Sequence, residues 1–251
     1  MIESFKGRTA IISGASSGIG LSTLIKFAKN KCNIISFSHK PSPKLDQEIK
    51  DISKEFKVDI SHHYLDITNS DDVKKFVTFI KEKKINVNYL VNNAGVLENS
   101  LVQMTKEASL TKIFQINFNS QVFLTQQILK LMLKSKKPKA IINVASISAL
   151  DNNFGRFAYS STKAALISFS HTLFKEVASY GIRVNAIAPG MTNTKLMNEN
   201  TQKKFIEETI EKISLKRIAE PEEIANVILF LCSDLSSYIN GQTIRVDGGM
   251  Y

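Results

Sequence analysis

The sequence predicts an α/β fold in which helices cover both faces of a doubly wound, parallel sheet of seven strands. Short apolar runs alternate with longer segments whose apolar residues recur at helical spacing, and a glycine-rich turn follows the first run. Several runs lack polar alternation, which is typical of parallel strands covered on both faces. A (β/α)8 barrel has a similar length but needs eight such units. The predicted strands are 8–13, 33–37, 59–65, 87–92, 140–145, 182–188 and 242–246.

The segments between these strands carry the helical pattern. The predicted helices are 21–30, 70–84, 109–134, 164–180 and 221–231. The last has a favourable start, because Pro221 stands in the first turn and is followed by two glutamates at the positive end of the helix dipole. No linker, low-complexity tract or internal repeat divides the chain, so we expect a single domain over residues 1–251.

The composition is that of a folded globular protein, with 43% hydrophobic and 22% charged residues. No apolar run approaches the roughly 18 residues that span a bilayer, so we expect no membrane association. The N-terminal segment ends in a glycine loop rather than a signal cleavage site, which predicts a cytoplasmic protein. Cys32 and Cys232 lie in apolar surroundings, and we expect both to be buried free thiols in a reducing compartment.

Basic residues outnumber acidic ones, 33 to 23, which gives a formal net charge of +10 and favours acidic partners or substrates. The lysines are spread along the chain and form no stripe, so we do not expect nucleic-acid binding. His62 and His63 are adjacent on a predicted strand and should point to opposite faces, so we expect no metal site. His171 should serve packing or lie at the surface.

The turn after the first strand reads SGASSGIG and contains Gly14, Gly18 and Gly20, with the spacing G-x-x-x-G-x-G. Glycines here allow a tight turn and let the backbone approach a pyrophosphate at the N-terminus of the following helix. A flexible loop is the alternative. Strand, loop and helix occur in the order that a dinucleotide-binding site requires, which favours the binding function.

This turn and the motifs that follow it resemble the short-chain dehydrogenase/reductase family, whose members have a Rossmann-type fold. The likeness covers nearly the whole chain and includes LDIT at 65–68, NNAG at 92–95 and PGMTNT at 189–194. The resemblance implies four catalytic residues, Asn117, Ser146, Tyr159 and Lys163. Together with the chemistry of the turn it implies the following cofactor contacts: Gly14, Ser16, Ser17, Gly18, Ile19, Gly20, Ser38, His39, Lys40, Asp66, Ile67, Asn93, Ala94, Gly95, Tyr159, Lys163, Pro189, Gly190, Thr192 and Thr194.

The end of the second strand bears on which nicotinamide cofactor is bound. NAD enzymes of this type place an acid there, which accepts hydrogen bonds from the ribose 2′-hydroxyl. Here Ser38 takes that place and is followed by His39 and Lys40. A hydroxyl beside basic groups suits a 2′-phosphate, so the sequence favours NADP(H) over NAD(H).

The YxxxK pair would act as a proton donor and its electrostatic partner. On a helix, Tyr159 and Lys163 are one turn apart and share a face. A free phenol has a pKa of about 10; the ammonium and a positive nicotinamide ring are expected to lower it. Ser146 can hold the substrate oxygen as negative charge develops. The resemblance further implies that Lys163 bonds the nicotinamide ribose and that Asn117 helps hold a proton-relay water.

Within the family, the C-terminal third resembles bacterial 3-oxoacyl-[acyl-carrier-protein] reductases. The resemblance predicts an NADPH-dependent carbonyl reductase or alcohol dehydrogenase that reduces a 3-oxoacyl thioester in fatty acid biosynthesis. A dehydrogenase or reductase of a sugar, polyol or small ketone is the alternative. A third possibility is a regulatory protein that binds NADP(H) without catalysis.

Three further features bear on contacts with a partner or an anionic ligand. The basic cluster 134–139, with Lys137, could dock an acidic acyl carrier protein or be a solvated helix end. Tyr180 replaces an arginine that makes a second carrier contact in the family. Arg156 could meet an anionic group at the mouth of the site or lie on the surface.

Two further expectations concern the outer parts of the molecule. Residues 193–217 should form a flap that covers the substrate. The resemblance also implies a homotetramer, assembled through the helices that contain Asn117 and Tyr159 and through the C-terminal segment.

Overall fold

The sheet of the computed structural model, which describes residues 5–134 and 138–250, has seven strands in the order β3-β2-β1-β4-β5-β6-β7. Every neighbouring pair is parallel, so the predicted doubly wound sheet is confirmed. The strands are β1 Thr9–Ser13, β2 Asn33–Ser38, β3 Ile60–Tyr64, β4 Tyr89–Asn92, β5 Lys139–Val144, β6 Ile182–Pro189 and β7 Thr243–Val246.

Ten α-helices lie within the described residues. They are α1 Gly18–Lys29, α2 Pro43–Phe56, α3 Ser70–Glu82, α4 Glu107–Phe114, α5 Ser120–Met132, α6 Ser148–Asp151, α7 Phe157–Val177, α8 Lys195–Asn200, α9 Lys203–Glu211 and α10 Pro221–Cys232. The predicted start at Pro221 is confirmed, and a capping box between Glu220 and Glu223 precedes the first turn of α10.

Two large apolar clusters, one on each face of the sheet, form most of the core, and a small third cluster contains Ala145, Ile167 and Ala186. Ile12 of β1 belongs to the cluster that contains side chains of α1, α2 and α10. Ile11, its neighbour in the strand, belongs to the cluster that contains side chains of α3, α5 and α7. Because successive side chains of a strand point to opposite faces, a strand buried between two helical layers has no polar face. This explains the continuous apolar runs in the sequence.

Helix α2 lies between β2 and β3, in a segment where the sequence analysis predicted no helix. Ser42 is its N-cap, and the hydroxyl of Ser42 accepts a hydrogen bond from the Leu45 N–H at 3.3 Å. Only Leu45, Ile49 and Ile52 are buried, at the spacing of one helical stripe. The serine followed by Pro43 is a recognisable helix start, and Leu45, Ile49, Ile52 and Phe56 recur at helical spacing, so this segment carried a signal that the sequence analysis missed.

The predicted helix 109–134 is two helices, α4 and α5, joined by one turn of π-helix at Gln115–Asn119. A π turn takes an additional residue into the helix and changes which side chains face inward. Asn117, in the middle of this turn, is fully buried. Apolar periodicity cannot reveal such a turn, because the helical pattern continues on both sides of it.

The order of the strands positions the site. The chain winds outward from β1 through β2 and β3 in one direction, and from β4 to β7 in the other. A crevice opens at the carboxyl ends of β1 and β4, where the winding direction reverses. Within the described residues, no helix combines the length and apolar character needed to cross a membrane.

Both cysteines are free thiols and are buried, as predicted. Burial raises the pKa of the Cys232 thiol to about 12 and also raises the pKa of Cys32. We therefore expect the folded protein not to react with a thiol-specific disulfide reagent at about pH 8, where an exposed cysteine reacts readily. Unfolding in guanidinium should release both thiols. Rapid labelling without denaturant would contradict the packing around them.

Candidate active site

A cavity of about 860 Å³ opens at the carboxyl ends of the strands. Its volume lies within the range of cofactor and ligand sites. The predicted cofactor and catalytic residues that line it are Gly14, Ser16, Ser17, Gly18, Ile19, Ser38, His39, Asp66, Ile67, Asn93, Ala94, Gly95, Ser146, Tyr159, Lys163, Pro189, Gly190, Thr192 and Thr194. Gly20, Lys40 and Asn117 are not on its wall.

The glycine turn packs against the loop that follows β4. Gly14 has φ +67°, and a Cβ at this position would lie 2.8 Å from the Cα of Ala94. Gly20 supports the turn from behind, because a Cβ there would collide with the carbonyl oxygen of Gly14. Both positions therefore require glycine, although only Gly14 faces the cavity.

The N-terminus of α1 fits the pyrophosphate of a dinucleotide. Ser17, the N-cap, makes no side-chain capping bond, and the first turn contains no acidic residue. The first N–H groups of a helix lack intrahelical partners and attract anions together with the helix dipole. Residues Ser16 to Ile19 line the cavity. This uncapped helix start is therefore available to an anionic ligand.

The loop after β4 is held in place by the end of β1. The Ser13 hydroxyl accepts hydrogen bonds from the N–H groups of Asn93, at 2.9 Å, and Ala94, at 3.0 Å. In return, the Asn93 amide donates to the carbonyl oxygens of Ser13 and Gly14, each at 3.1 Å. The amide of Gln121 in α5 donates to the carbonyl oxygen of Ala94 at 2.7 Å. These hydrogen bonds connect the loop after β4 to β1 and α5.

Ser38, His39 and Asp66 also line the cavity. Asp66 Oδ1 accepts hydrogen bonds from the Thr68 N–H at 2.8 Å and from the Thr68 hydroxyl at 2.7 Å. These bonds lower the pKa of Asp66 below its usual value, so the carboxylate is ionised. Lys40 is exposed and lies off the cavity wall, so its position does not support the predicted contact.

Tyr159 and Ser146 both line the cavity, and the Ser146 hydroxyl accepts the Ser148 N–H at 3.1 Å. Burial raises the pKa of Tyr159, while the Ser146 hydroxyl and the charge of Arg156 act in the opposite direction. The phenol is therefore protonated at neutral pH.

Lys163 lies behind Tyr159 in α7. Its ammonium donates to the carbonyl oxygen of Val144 at 2.8 Å and lies 5.8 Å from the centre of the Tyr159 ring. Burial lowers the pKa of Lys163 to about 8. The sequence analysis expected Lys163 to help lower the pKa of Tyr159. That prediction also includes the charge of a nicotinamide ring; among the protein groups, burial outweighs the charges near the phenol.

Asn117 lies behind the cavity wall and fixes a neighbouring loop. Its Oδ1 accepts the Val96 N–H at 2.8 Å, and its amide donates to the Val96 carbonyl oxygen at 2.9 Å and to the Thr162 hydroxyl at 3.2 Å. A Cβ at Gly95 would lie 3.2 Å from Asn117 Oδ1 and 3.5 Å from Lys163 Nζ. The structure therefore brings Asn117 and Lys163 together around Gly95.

The segment predicted to be a flap forms α8 and α9, which contribute Met197, Phe205 and Thr209 to the cavity wall. It contacts the rest of the site through Asn99. The Asn99 amide donates to the Asn200 carbonyl oxygen at 2.6 Å, and its Oδ1 accepts from Arg156 Nε at 3.1 Å. The site thus includes a polar contact between the segment of α8 and α9 and the start of α7.

Arg156 lies at the mouth of the cavity, which decides between the two locations considered for it. Its guanidinium carbon lies 5.6 Å from the centre of the Phe205 ring, in the geometry of a cation–π contact. Burial lowers the pKa of Arg156, although a guanidinium remains charged at any physiological pH.

The remaining candidates lie elsewhere. Lys137 falls outside the described residues, and Tyr180 is 55% exposed. His171 is exposed, with Nε2 3.0 Å from the Thr243 hydroxyl. His62 faces serines of β2, whereas His63 packs against Phe76 and Phe79 of α3, so the two rings lie on opposite faces of the sheet as predicted.

Sequence reasoning missed several residues of the site. Ser13 and Gln121 orient the loop after β4, and Asn99 and Phe205 hold Arg156. Ser36 and Ser38, at alternate positions of β2, form a polar stripe on an otherwise apolar strand. This stripe could have indicated that one face of β2 contacts polar groups. No sequence pattern links Asn99 to residues 156 and 200.

The whole chain resembles known proteins. It matches the family model described as enoyl-(acyl carrier protein) reductase over residues 14–251. It is 35% identical to a 3-oxoacyl-[acyl-carrier-protein] reductase of Thermotoga maritima, with 98% of each chain covered. It is 33% identical to the protein of the same name from Buchnera aphidicola subsp. Schizaphis graminum, with 97% of each chain covered.

The similarity extends to three dimensions. The structure of L-sorbose reductase from Gluconobacter frateurii, complexed with NADPH and L-sorbose, matches with a TM-score of 0.91 and 31% identity. The match covers 100% of this chain and 98% of that protein. Sheet order, glycine turn and full-length similarity agree, and the chain belongs to the short-chain dehydrogenase/reductase family of oxidoreductases.

Proposed function

We propose that the protein is an NADPH-dependent reductase of a carbonyl group and that its substrate is a 3-oxoacyl thioester. The observation that carries the reaction class is the cluster of Ser146, Tyr159 and Lys163 on one wall of the cavity that also contains the uncapped start of α1. The substrate is supported by the names of the relatives from Thermotoga maritima and Buchnera aphidicola.

The protein would hold the cofactor along the cavity between β1 and β4. The first turn of α1 would bind the pyrophosphate, Asp66 the adenine amino group, and Ser38 with His39 a 2′-phosphate. Lys163, which is 4% exposed and faces this cavity, would bond the nicotinamide ribose. When bound, the cofactor supplies the hydride that reduces the carbonyl carbon.

Four side chains of the site would transfer the proton, stabilise the developing charge and position the reacting groups. Tyr159 would transfer its hydroxyl proton to the carbonyl oxygen, and its raised pKa keeps that proton in place at neutral pH. Ser146 would donate a hydrogen bond to the same oxygen as negative charge develops there. Lys163 would place a positive charge near the phenolate left behind. Asn117 would hold the loop around Gly95 against this group and, through its turn of π-helix, help place a proton-relay water.

Substrate entry would involve the segment 193–217. Helices α8 and α9 already form part of the cavity wall, and their contact with Asn99 is a single amide at the edge of the site. Breaking this contact and the contact between Arg156 and Phe205 would let the segment move away from the cavity, and forming both would exclude water from the reacting groups. We therefore propose that 193–217 acts as the substrate-covering flap of a single domain.

The protein's partners follow from the same proposal. An acyl thioester could be presented by an acidic acyl carrier protein, which the net charge of +10 would attract. A homotetramer would pair copies of the long helices α5 and α7, as the family resemblance implies.

A reductase of sugars, polyols or small ketones is the second candidate. The structural match to L-sorbose reductase supports it, at 31% identity over the full chain. A binding protein without catalysis is a weaker candidate, because Asn117, Ser146, Tyr159 and Lys163 are all present and lie together.

Replacing Tyr159 with phenylalanine should remove the proton donor and leave the shape of the ring. We expect turnover to fall by about two to four orders of magnitude, with NADPH binding retained in a fluorescence titration. Tyr180→Phe, at an exposed tyrosine outside the site, is the matched control and should behave as wild type. Equal turnover of Tyr159→Phe and wild type would eliminate this mechanism.

The substrate class can be tested by following NADPH oxidation with acetoacetyl thioesters, keto sugars and simple ketones in parallel. We expect the highest kcat/KM with the thioester, and a lower Michaelis constant for NADPH than for NADH. Activity confined to sugars would replace the thioester proposal with the second candidate. Equal Michaelis constants for the two cofactors would refute the cofactor preference.

The affinity for NADPH should depend on the charge of Lys163. Because the pKa of this residue is lowered to about 8, its ammonium is present below that pH and is lost above it. We expect the Kd for NADPH to rise as the pH increases through this value. In Lys163→Met the Kd should be higher, and the step centred near this pH should disappear. A step that persists in the variant would assign the titration to another group.

A further inference from the structure

A polar triad of Ser36, Ser38 and His62 lies beside the cavity, and Ser38 is the member of the triad that lines it. Ser36 of β2 is paired in register with His62 of β3. The Ser36 hydroxyl lies 2.8 Å from His62 Nδ1, and the Ser38 hydroxyl lies 3.0 Å from His62 Nε2. One imidazole ring therefore contacts both hydroxyls of the polar stripe on β2.

The two serines differ in their surroundings. Ser36 is fully buried, and its hydroxyl has no partner other than His62 among residues 5–134 and 138–250. Ser38 is 5% exposed and lines the cavity. A proton on the Ser38 hydroxyl can therefore reach a ligand, whereas a proton on the Ser36 hydroxyl can be accepted only by the ring.

This difference decides which ring nitrogen carries the proton. Burial lowers the pKa of His62 to about 4, so the ring is neutral near pH 7 and has one donor and one acceptor nitrogen. If Nδ1 were protonated, the Ser36 proton would be buried without an acceptor, which is unfavourable. Ser36 therefore donates to Nδ1, and Nε2–H donates to the hydroxyl oxygen of Ser38.

We propose that His62 is a positioning residue that makes Ser38 a hydrogen-bond donor toward the 2′-phosphate of NADP(H). With one lone pair of Ser38 engaged by Nε2–H, the hydroxyl proton of Ser38 remains for the cavity. A phosphate offers only acceptor oxygens at neutral pH, so it requires such a donor. With the opposite tautomer, Ser38 would donate to the ring and present only lone pairs, which repel a phosphate. This inference rests on the proposed NADP(H) preference.

The tautomer can be observed without any cofactor. Long-range proton–nitrogen NMR spectra of the labelled protein distinguish the two neutral forms of histidine, and His62→Gln would identify the signals of this ring. We expect the Nε2-protonated form. An Nδ1-protonated ring would overturn the proposal, whichever cofactor the protein prefers.

The action through Ser38 can be tested by calorimetric titration of NADP⁺ and NAD⁺ into wild type, His62→Ala, Ser38→Ala and the double variant. We expect each single variant to bind NADP⁺ about tenfold more weakly, as for the loss of one hydrogen bond to a charged group. The effect on NAD⁺ should be smaller. The double variant should be no weaker than Ser38→Ala, because His62 acts through Ser38.

His63→Ala is the matched control, because His63 is adjacent in β3 but packs against α3 on the other face. It should lower Tm without changing the ratio of the two affinities. His62→Gln, whose amide offers both a donor and an acceptor, should recover part of the NADP⁺ affinity.

The possible results of these experiments distinguish the positioning role of His62 from the preference for NADP(H). Additive losses in the double variant, or equal losses of both cofactors, would refute the positioning role of His62. Wild-type protein that binds NAD⁺ as tightly as NADP⁺, with an Nε2-protonated ring and non-additive variants, would refute the cofactor preference and leave the role of His62 intact.

Discussion

The parallel direction of the strands is the constraint on which the site depends. Parallel pairing sends every strand to the same edge of the sheet, so the loops after β1 to β6 all contribute to one cavity. Because helices cover both faces of the sheet, polar groups that contact a ligand lie at this edge. The apolar clusters on the two faces therefore do more than stabilise the fold: they fix how far apart the loop ends lie.

Hydrogen bonds between buried polar side chains also connect the strands to each other and to the helices. Asn92 of β4 donates to Asn143 of β5 at 2.7 Å and to Thr125 at 2.8 Å, and Asn143 in turn donates to Ser170 of α7 at 2.7 Å. A buried polar group without a partner is unfavourable, so these bonds favour one arrangement of the side chains, although Asn92 Oδ1 has no partner among the described residues. This set of hydrogen bonds connects the strands at the centre of the sheet to α7, the helix that contains Tyr159.

The sequence predicted the parts of the structure that depend on local patterns. Apolar runs located all seven strands, and the glycine turn and the YxxxK pair located the two ends of the cavity. It was less complete elsewhere. The effect of burial on the pKa of Tyr159 depends on the fold, which no spacing of residues reveals. The turn at Asn117 was missed because a π-helix preserves the apolar pattern on either side, and helix α2 was missed although its apolar residues recur at helical spacing.

The missing side-chain cap of α1 has a consequence for the energetics of the whole chain. A capping residue typically contributes about 1 kcal/mol to a helix, and Ser17 makes no such bond. An anion at this helix start would supply the missing partner in the folded state only, since the unfolded chain has no such turn. The concentration of such a ligand would thereby enter the folding equilibrium by mass action. Part of the stability of the chain would then depend on its surroundings and not on its own residues.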